Sequence, residues 1–255
     1  MSKETALGEN FPLMEKKPLI EHLEELRRRL FVIAVSIFVF SILSFFIAQD
    51  IYEILKYPAL KYYPNLQFVT LTPTSAFFVL MKISLICGII FSFPVIFYQA
   101  WKFIEPGLLE KEKKLLYPLL GVAIILFLLG VFFAYFAVLP VALRFLIGVG
   151  IDILKVTPLM SIDLYTSFVL KLVLAFGFLF QLPIVMYVLT SLGVVKIETW
   201  KKWRKPFIVL AFVIGAIIAP DWMTQILIAV PLLVLYEVAL RFNEWMAKKR
   251  ESKPL

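Results

Sequence analysis

Apolar positions fall into six long uncharged stretches: Leu30–Ala48, Ile83–Trp101, Leu115–Leu143, Leu172–Val195, Pro206–Pro220 and Trp222–Tyr236. A helix rises 1.5 Å per residue and needs about 20 residues to cross a hydrocarbon layer of about 30 Å. The second stretch reaches back to about Ala76 and the fourth to about Leu164 once Lys82 and Lys171 are accepted near one end. A membrane barrel would instead alternate apolar and polar residues over segments of about ten. The pattern therefore predicts an all-α membrane protein with six transmembrane helices. The last two spans are short, about 22 Å each at helical rise, with Asp221 alone between Pro220 and Trp222. Such a hairpin predicts a locally thinned bilayer or shelter by neighbouring helices.

Met1–Lys17 is mixed and polar, and is read as a flexible N-terminal tail. From Pro18 the spacing of Leu19, Ile20, Leu23, Leu26 and Leu30 predicts a short amphipathic helix lying on the membrane face and feeding the first span. Residues 18–242 form a single six-helix domain, followed by a basic tail, 243–255. The first stretch is followed by further spans and has no small-residue cleavage pattern before Gln49, so it is not read as a leader. The connections Asp50–Ser75 and Val141–Asp163 are apolar, with Pro58, Gly148, Gly150 and Pro158 as interruptions. They are expected to be structured and to pack on one another as a cap. No internal repeat is visible, which weighs against an inverted-repeat transporter.

With 255 residues, 62% hydrophobic and 17% charged, and a mean hydropathy of +0.92, the chain is an integral membrane protein by composition as well. A net charge of +8 would suit nucleic acid in a soluble domain. Here the charge sorts by side. Twenty of the 26 Lys and Arg residues fall before Leu30, around Lys102–Lys114, in Lys196–Lys205 and after Leu240, while four fall in the two apolar connections. That asymmetry predicts both termini in the cytoplasm, with contact to anionic membrane lipid as a second use, and leaves no role for nucleic acid. Cys87, the one cysteine, is read as a small core residue.

The polar residues inside the spans need reasons. Lys82 and Lys171 can snorkel to interface water, and Glu237 can reach water or pair with a cation. Gln181 lies well inside the fourth span, two residues before Pro183, where it fits an interhelical hydrogen bond or a functional polar spot. Glu24 with Arg28 and Glu25 with Arg29 have the i, i+4 spacing of helix-surface pairs. One histidine, His22, and one cysteine provide no metal cluster, and no phosphate loop or catalytic triad can be assembled, so no cofactor and no enzyme are expected.

His22-Leu-Glu-Glu-Leu-Arg-Arg-Arg-Leu30, Pro94-Val-Ile-Phe-Tyr-Gln-Ala-Trp-Lys-Phe-Ile-Glu-Pro-Gly-Leu108, Phe133-Ala-Tyr-Phe136 and Ala219-Pro-Asp221 with Gln225 resemble the TatC family. This is the multispanning receptor subunit of the twin-arginine protein translocase. The likeness runs from about Pro18 to Phe242. It implies recognition of twin-arginine signal peptides on proteins exported already folded across the cytoplasmic membrane, with the proton motive force behind the pathway. It also implies TatA-type and TatB-type single-span partners and an oligomeric complex. By motif position Glu25 and Glu112 resemble the carboxylates that receive the signal's arginines, with Phe103 and Arg27 at the same surface. A planar guanidinium can bond a carboxylate through two parallel contacts, which an ammonium cannot. Pro58, Tyr135, Asp221 and Gln225 match positions linked to function or structure.

One position departs from the family pattern, which usually has glutamate where Phe180-Gln-Leu-Pro-Ile184 has Gln181. An amide still bonds, but neither titrates nor pairs as an anion. With Gln181, the two short spans are expected to form a docking region for partner helices. The competing reading is a small-molecule transporter or channel using Gln181, Lys82 and Lys171.

Overall fold

The computed structural model describes residues 19–107, 113, 117–153, 155, 159–219 and 221–251. The tail Met1–Lys17, Pro18, Pro158 and Pro220 lie outside them. Helix α1, Leu19–Phe45, is unbroken. The amphipathic start is therefore not a separate surface helix. Between Leu19 and Phe45 there is neither proline nor glycine to interrupt the ladder, so the polar turn at Glu21–Arg29 continues directly into the apolar span.

A two-residue turn leads to α2, Ala48–Tyr62, which belongs to the first connection and runs through Pro58. Strand β1, Gln67–Val69, follows, and then α3, Ser75–Ile104. α1 packs chiefly on α3. Ser84, Gly88 and Ser92, four residues apart, are buried on α3. A Cβ on Gly88 would stand 2.1 Å from the Ser41 hydroxyl, so only glycine permits this approach.

The third span comprises α4, Leu119–Phe133, a wide π turn Ala134–Val138, and α5, Leu139–Gly148, with a second π turn to Ile153. The helix thus reaches beyond the predicted limit at Leu143. At the first π turn the Leu139 N–H bonds back five residues to Ala134 O, just before Pro140, which has no N–H for the ordinary bond to Phe136. Strand β2, Leu159–Ser161, pairs in parallel with β1, Phe68 opposite Met160. The two apolar connections do pack together as a cap. Tyr63 donates its hydroxyl to Arg144 O at 3.1 Å, and the Arg144 guanidinium lies 4.0 Å above the Tyr62 ring.

The fourth span is two helices, α6, Ile162–Leu179, and α7, Leu182–Ser191, with Gln181 at the turn between them and Pro183 in the first turn of α7. α7 ends on Gly193 at φ +71, with Gly193 N–H on Thr190 O and Val194 N–H on Leu189 O. This is a Schellman cap, which needs a left-handed residue. The short α8, Ile197–Lys202, leads into α9, Arg204–Ile218, and α10, Trp222–Glu251.

Five helices among the described residues are long and apolar enough to cross a membrane: α1, α3, α4 with α5, α6 with α7, and α10. Of the two short final spans expected, α9 is short, at 15 residues, and α10 is not. Glu237 does not end it, because Arg204 (2.8 Å) and Arg241 (3.4 Å) both pair with that carboxylate. Between the helices the core is aromatic: Phe93 stacks on Phe127 at 3.7 Å, and Phe127 and Phe176 are fully buried.

Candidate functional site

At the end of the bundle where α1 begins, the first turns of α1 meet the last turns of α3. Arg29 lies one turn after Glu25, and both are about four-fifths buried. The Arg29 Nε donates to Glu25 Oε1 at 3.1 Å, Nη2 bonds the same oxygen, and Nη1 donates across to Gln99 Oε1 on α3 at 3.2 Å. On the other side of Glu25, His22 Nδ1 stands 3.9 Å from Oε2, and the His22 ring stacks on Phe103 at 4.3 Å and 17°. Glu21, Glu24, Glu25, Arg28, Arg29, Val32 and Gln99 enclose an open cavity of about 480 Å³. Three carboxylates within five residues share the lining with two guanidiniums, those of Arg28 and Arg29, and the excess of carboxylate suits a cationic ligand.

Of the four residues assigned by resemblance to signal binding, the structure brings Glu25 and Phe103 together through His22. Arg27, two residues past Glu25 and so on the opposite side of α1, is exposed. Glu112 lies outside the described residues. Neither Gln99 nor Arg29 was singled out as a site residue from the sequence. Gln99 is an uncharged polar residue inside an apolar stretch, as Gln181 is, and that is the signal that points to it.

Gln181 lies at a helix junction, not within a continuous helix. Its Nε2 donates to Ala123 O of α4 at 3.2 Å, the interhelical bond expected. Its Oε1 is buried and has no partner among the described residues, and the same holds for Trp101 Nε1. Both side chains line an apolar groove of about 200 Å³ with Phe97, Leu119, Ile184 and Val188. A larger groove of about 560 Å³ adjoins it through Leu119 and Ile184, walled by α4, α7 and α10 with Leu126, Tyr187, Val238 and Phe242.

At the capped end, Pro58 and Tyr135 prove to be parts of one device. Pro58 has no N–H for Ile54 O, and the Tyr135 hydroxyl donates to that carbonyl at 2.5 Å. Tyr165, not predicted, donates to the next carbonyl, Leu55 O, at 2.6 Å. Burial, and then the negative charge of Glu53, raise the Tyr52 hydroxyl above the usual tyrosine range. Asp221 caps α10 by accepting the Thr224 N–H at 2.7 Å, and Gln225 Nε2 donates to Ala219 O at 3.5 Å. Lys82 does more than snorkel: its ammonium bonds Asp163 at 2.7 Å and Ser167 at 3.0 Å on α6. Lys171 is exposed, as snorkelling requires.

Residues 21–231 match the family model described as Sec-independent protein translocase protein (TatC). The chain is 52% identical over 235 residues to the TatC protein of Aquifex aeolicus, covering 92% of this chain and 98% of that one. To the Escherichia coli K12 TatC protein it is 35% identical over 241 residues, covering 94% and 93%. A crystal structure of a twin-arginine translocase receptor, TatC, superposes with a TM-score of 0.83 at 52% identity, covering 88% of this chain and 98% of that one.

Proposed function

The chain belongs to the TatC family, and so is a multi-pass membrane component of the Sec-independent protein translocase, not an enzyme; from that premise we propose that it is the pathway's signal-peptide receptor. In this reading the end bearing Glu25 faces the cytoplasm, as do both termini, in line with the distribution of Lys and Arg. The membrane is the bacterial cytoplasmic membrane. The carboxylates of Glu21, Glu24 and Glu25, with Phe103 behind them, receive the consecutive arginines of a twin-arginine signal. Glu112, placed by resemblance, supplies a second carboxylate.

The observation that carries this reading is the half-closed cavity with Glu25 in its wall, held between His22 and Arg29. A carboxylate that is mostly buried yet opens on a cavity can strip water from an incoming guanidinium, which strengthens the charge-assisted bond. Partner recruitment is assigned to the other locus. The groove lined by α4, α7 and α10 fits an apolar helix, and the Trp101 Nε1 and Gln181 Oε1 beside it call for one side chain that both accepts and donates, a hydroxyl or an amide. Single-span TatA-type and TatB-type subunits, in an oligomeric complex, are the partners proposed.

The test is complementation of cells lacking their own TatC. Glu25→Gln and Glu112→Gln, present in the membrane at wild-type level, should each abolish export of a folded reporter with a twin-arginine signal. Crosslinkers at Tyr187 or Val238 should capture a single-span subunit. Normal export by both Gln variants would contradict the receptor assignment, and crosslinks that reach only lipid would contradict the docking assignment.

A further inference from the structure

We propose that Arg29 is an internal ligand of Glu25 that every incoming arginine must replace, and that Gln99 is the acceptor that keeps Arg29 once it is displaced. The inference rests on the receptor reading above. Its basis is geometric. The carboxylate best placed to meet a guanidinium already holds one, through Nε and Nη2 of the same residue on Oε1. That guanidinium belongs to the chain itself, one helical turn away, so its effective concentration is high. It is also held from a second side, by Gln99 on a different helix, 3.2 Å from Nη1. When another arginine takes Glu25, Arg29 therefore retains one hydrogen-bond partner and is not left as a buried cation without any.

The arrangement makes a quantitative claim. If only the form with Glu25 vacated binds, the apparent affinity is lowered by the fraction of molecules in that form. Arg29 then acts as a threshold. A single cationic side chain passing the cavity must compete with a tethered fork of the same chemistry, whereas a signal with several contacts gains enough to displace it. Pure competition lowers the affinity for arginine and lysine ligands by the same factor, so the threshold changes strength and leaves the arginine preference to Glu25.

Arg28 lines the same cavity and carries the same charge but is not bonded to Glu25 among the described contacts, so it serves as the electrostatic control. The experiment is titration of the full-length chain in lipid nanodiscs with a synthetic twin-arginine signal peptide. Arg29→Met should tighten binding about five- to tenfold, with Arg29→Lys between it and wild type. Arg28→Met, which takes the same charge out of the cavity wall but leaves Glu25 occupied by Arg29, should tighten binding by less than Arg29→Met does. Gln99→Ala should weaken binding in the wild-type background and have no effect when Arg29 is Met. Weaker binding by both Arg29 variants, or equal tightening by Arg28→Met and Arg29→Met, would overturn the proposal. Should Arg29→Met fail to give a monodisperse sample, Arg29→Lys carries the same test. Failure of the receptor reading looks different: the wild-type chain itself would bind twin-arginine and twin-lysine peptides alike, and Glu25→Ala would make no difference.

Discussion

The two ends of the helical bundle solve the same problem, polar groups next to lipid, by opposite means. At the capped end, neutral tyrosine hydroxyls close on backbone carbonyls: Tyr135 on Ile54, Tyr165 on Leu55, Tyr63 on Arg144. At the Glu25 end, charged side chains share one carboxylate and one amide around a cavity of about 480 Å³. A carbonyl in a helix has nowhere to go, so its bond to a tyrosine fixes the fold. A carboxylate between a histidine, an arginine and open space can change partners. The contrast is between a capped end whose polar groups are fixed on the backbone and a Glu25 end whose proposed work is to exchange ligands, and each side of it can be broken separately.

The largest expected effect is on binding. Glu25→Ala should lower affinity for a twin-arginine peptide at least about tenfold, the scale of a charge-assisted hydrogen bond, while lowering the thermal midpoint of the purified chain less than Tyr135→Phe does, because Arg29 keeps its bond to Gln99 when the carboxylate is gone. Loss of both binding and midpoint would erase the division between the ends. Tyr135→Phe should do the reverse, costing about 1–2 kcal/mol because it leaves Ile54 O without the donor that Pro58 cannot provide. Peptide affinity should not move. That cost should fall to nearly zero in a Pro58→Ala background, since alanine brings back the missing N–H; additive costs in this double-mutant cycle would show that the tyrosine does not serve the proline. The smallest effect is expected of Tyr165→Phe, about 1 kcal/mol, because Leu55 O faces Ala59, whose N–H is present.

Much of this was legible in the chain because lipid forces apolar stretches of a fixed minimum length. All five long helices lie on stretches that the uncharged pattern predicts, α10 running further than expected, and the apolar character of the two connections announced the cap. Where the reading fell short, the deciding contact was distant in sequence. Pro58 reads as a stop until Tyr135 supplies a hydroxyl from another helix, and Glu237 reads as the end of a span until Arg204 neutralises it. Lys82 reads as snorkelling until Asp163 is found beside it. At the candidate site, Glu25 and Phe103 came from resemblance and their juxtaposition from the structure. The roles of Arg29 and Gln99 follow from a crossing of α1 and α3 that no local spacing encodes.

The central claim is that Glu25 and its cavity receive a guanidinium pair. The most direct test is calorimetric titration of the wild-type chain with twin-arginine and twin-lysine forms of one signal peptide, repeated on Glu25→Ala. The account predicts at least about tenfold preference for the arginine form in the wild type, and a much reduced preference in the variant. Equal affinity of the wild type for the two forms would contradict it.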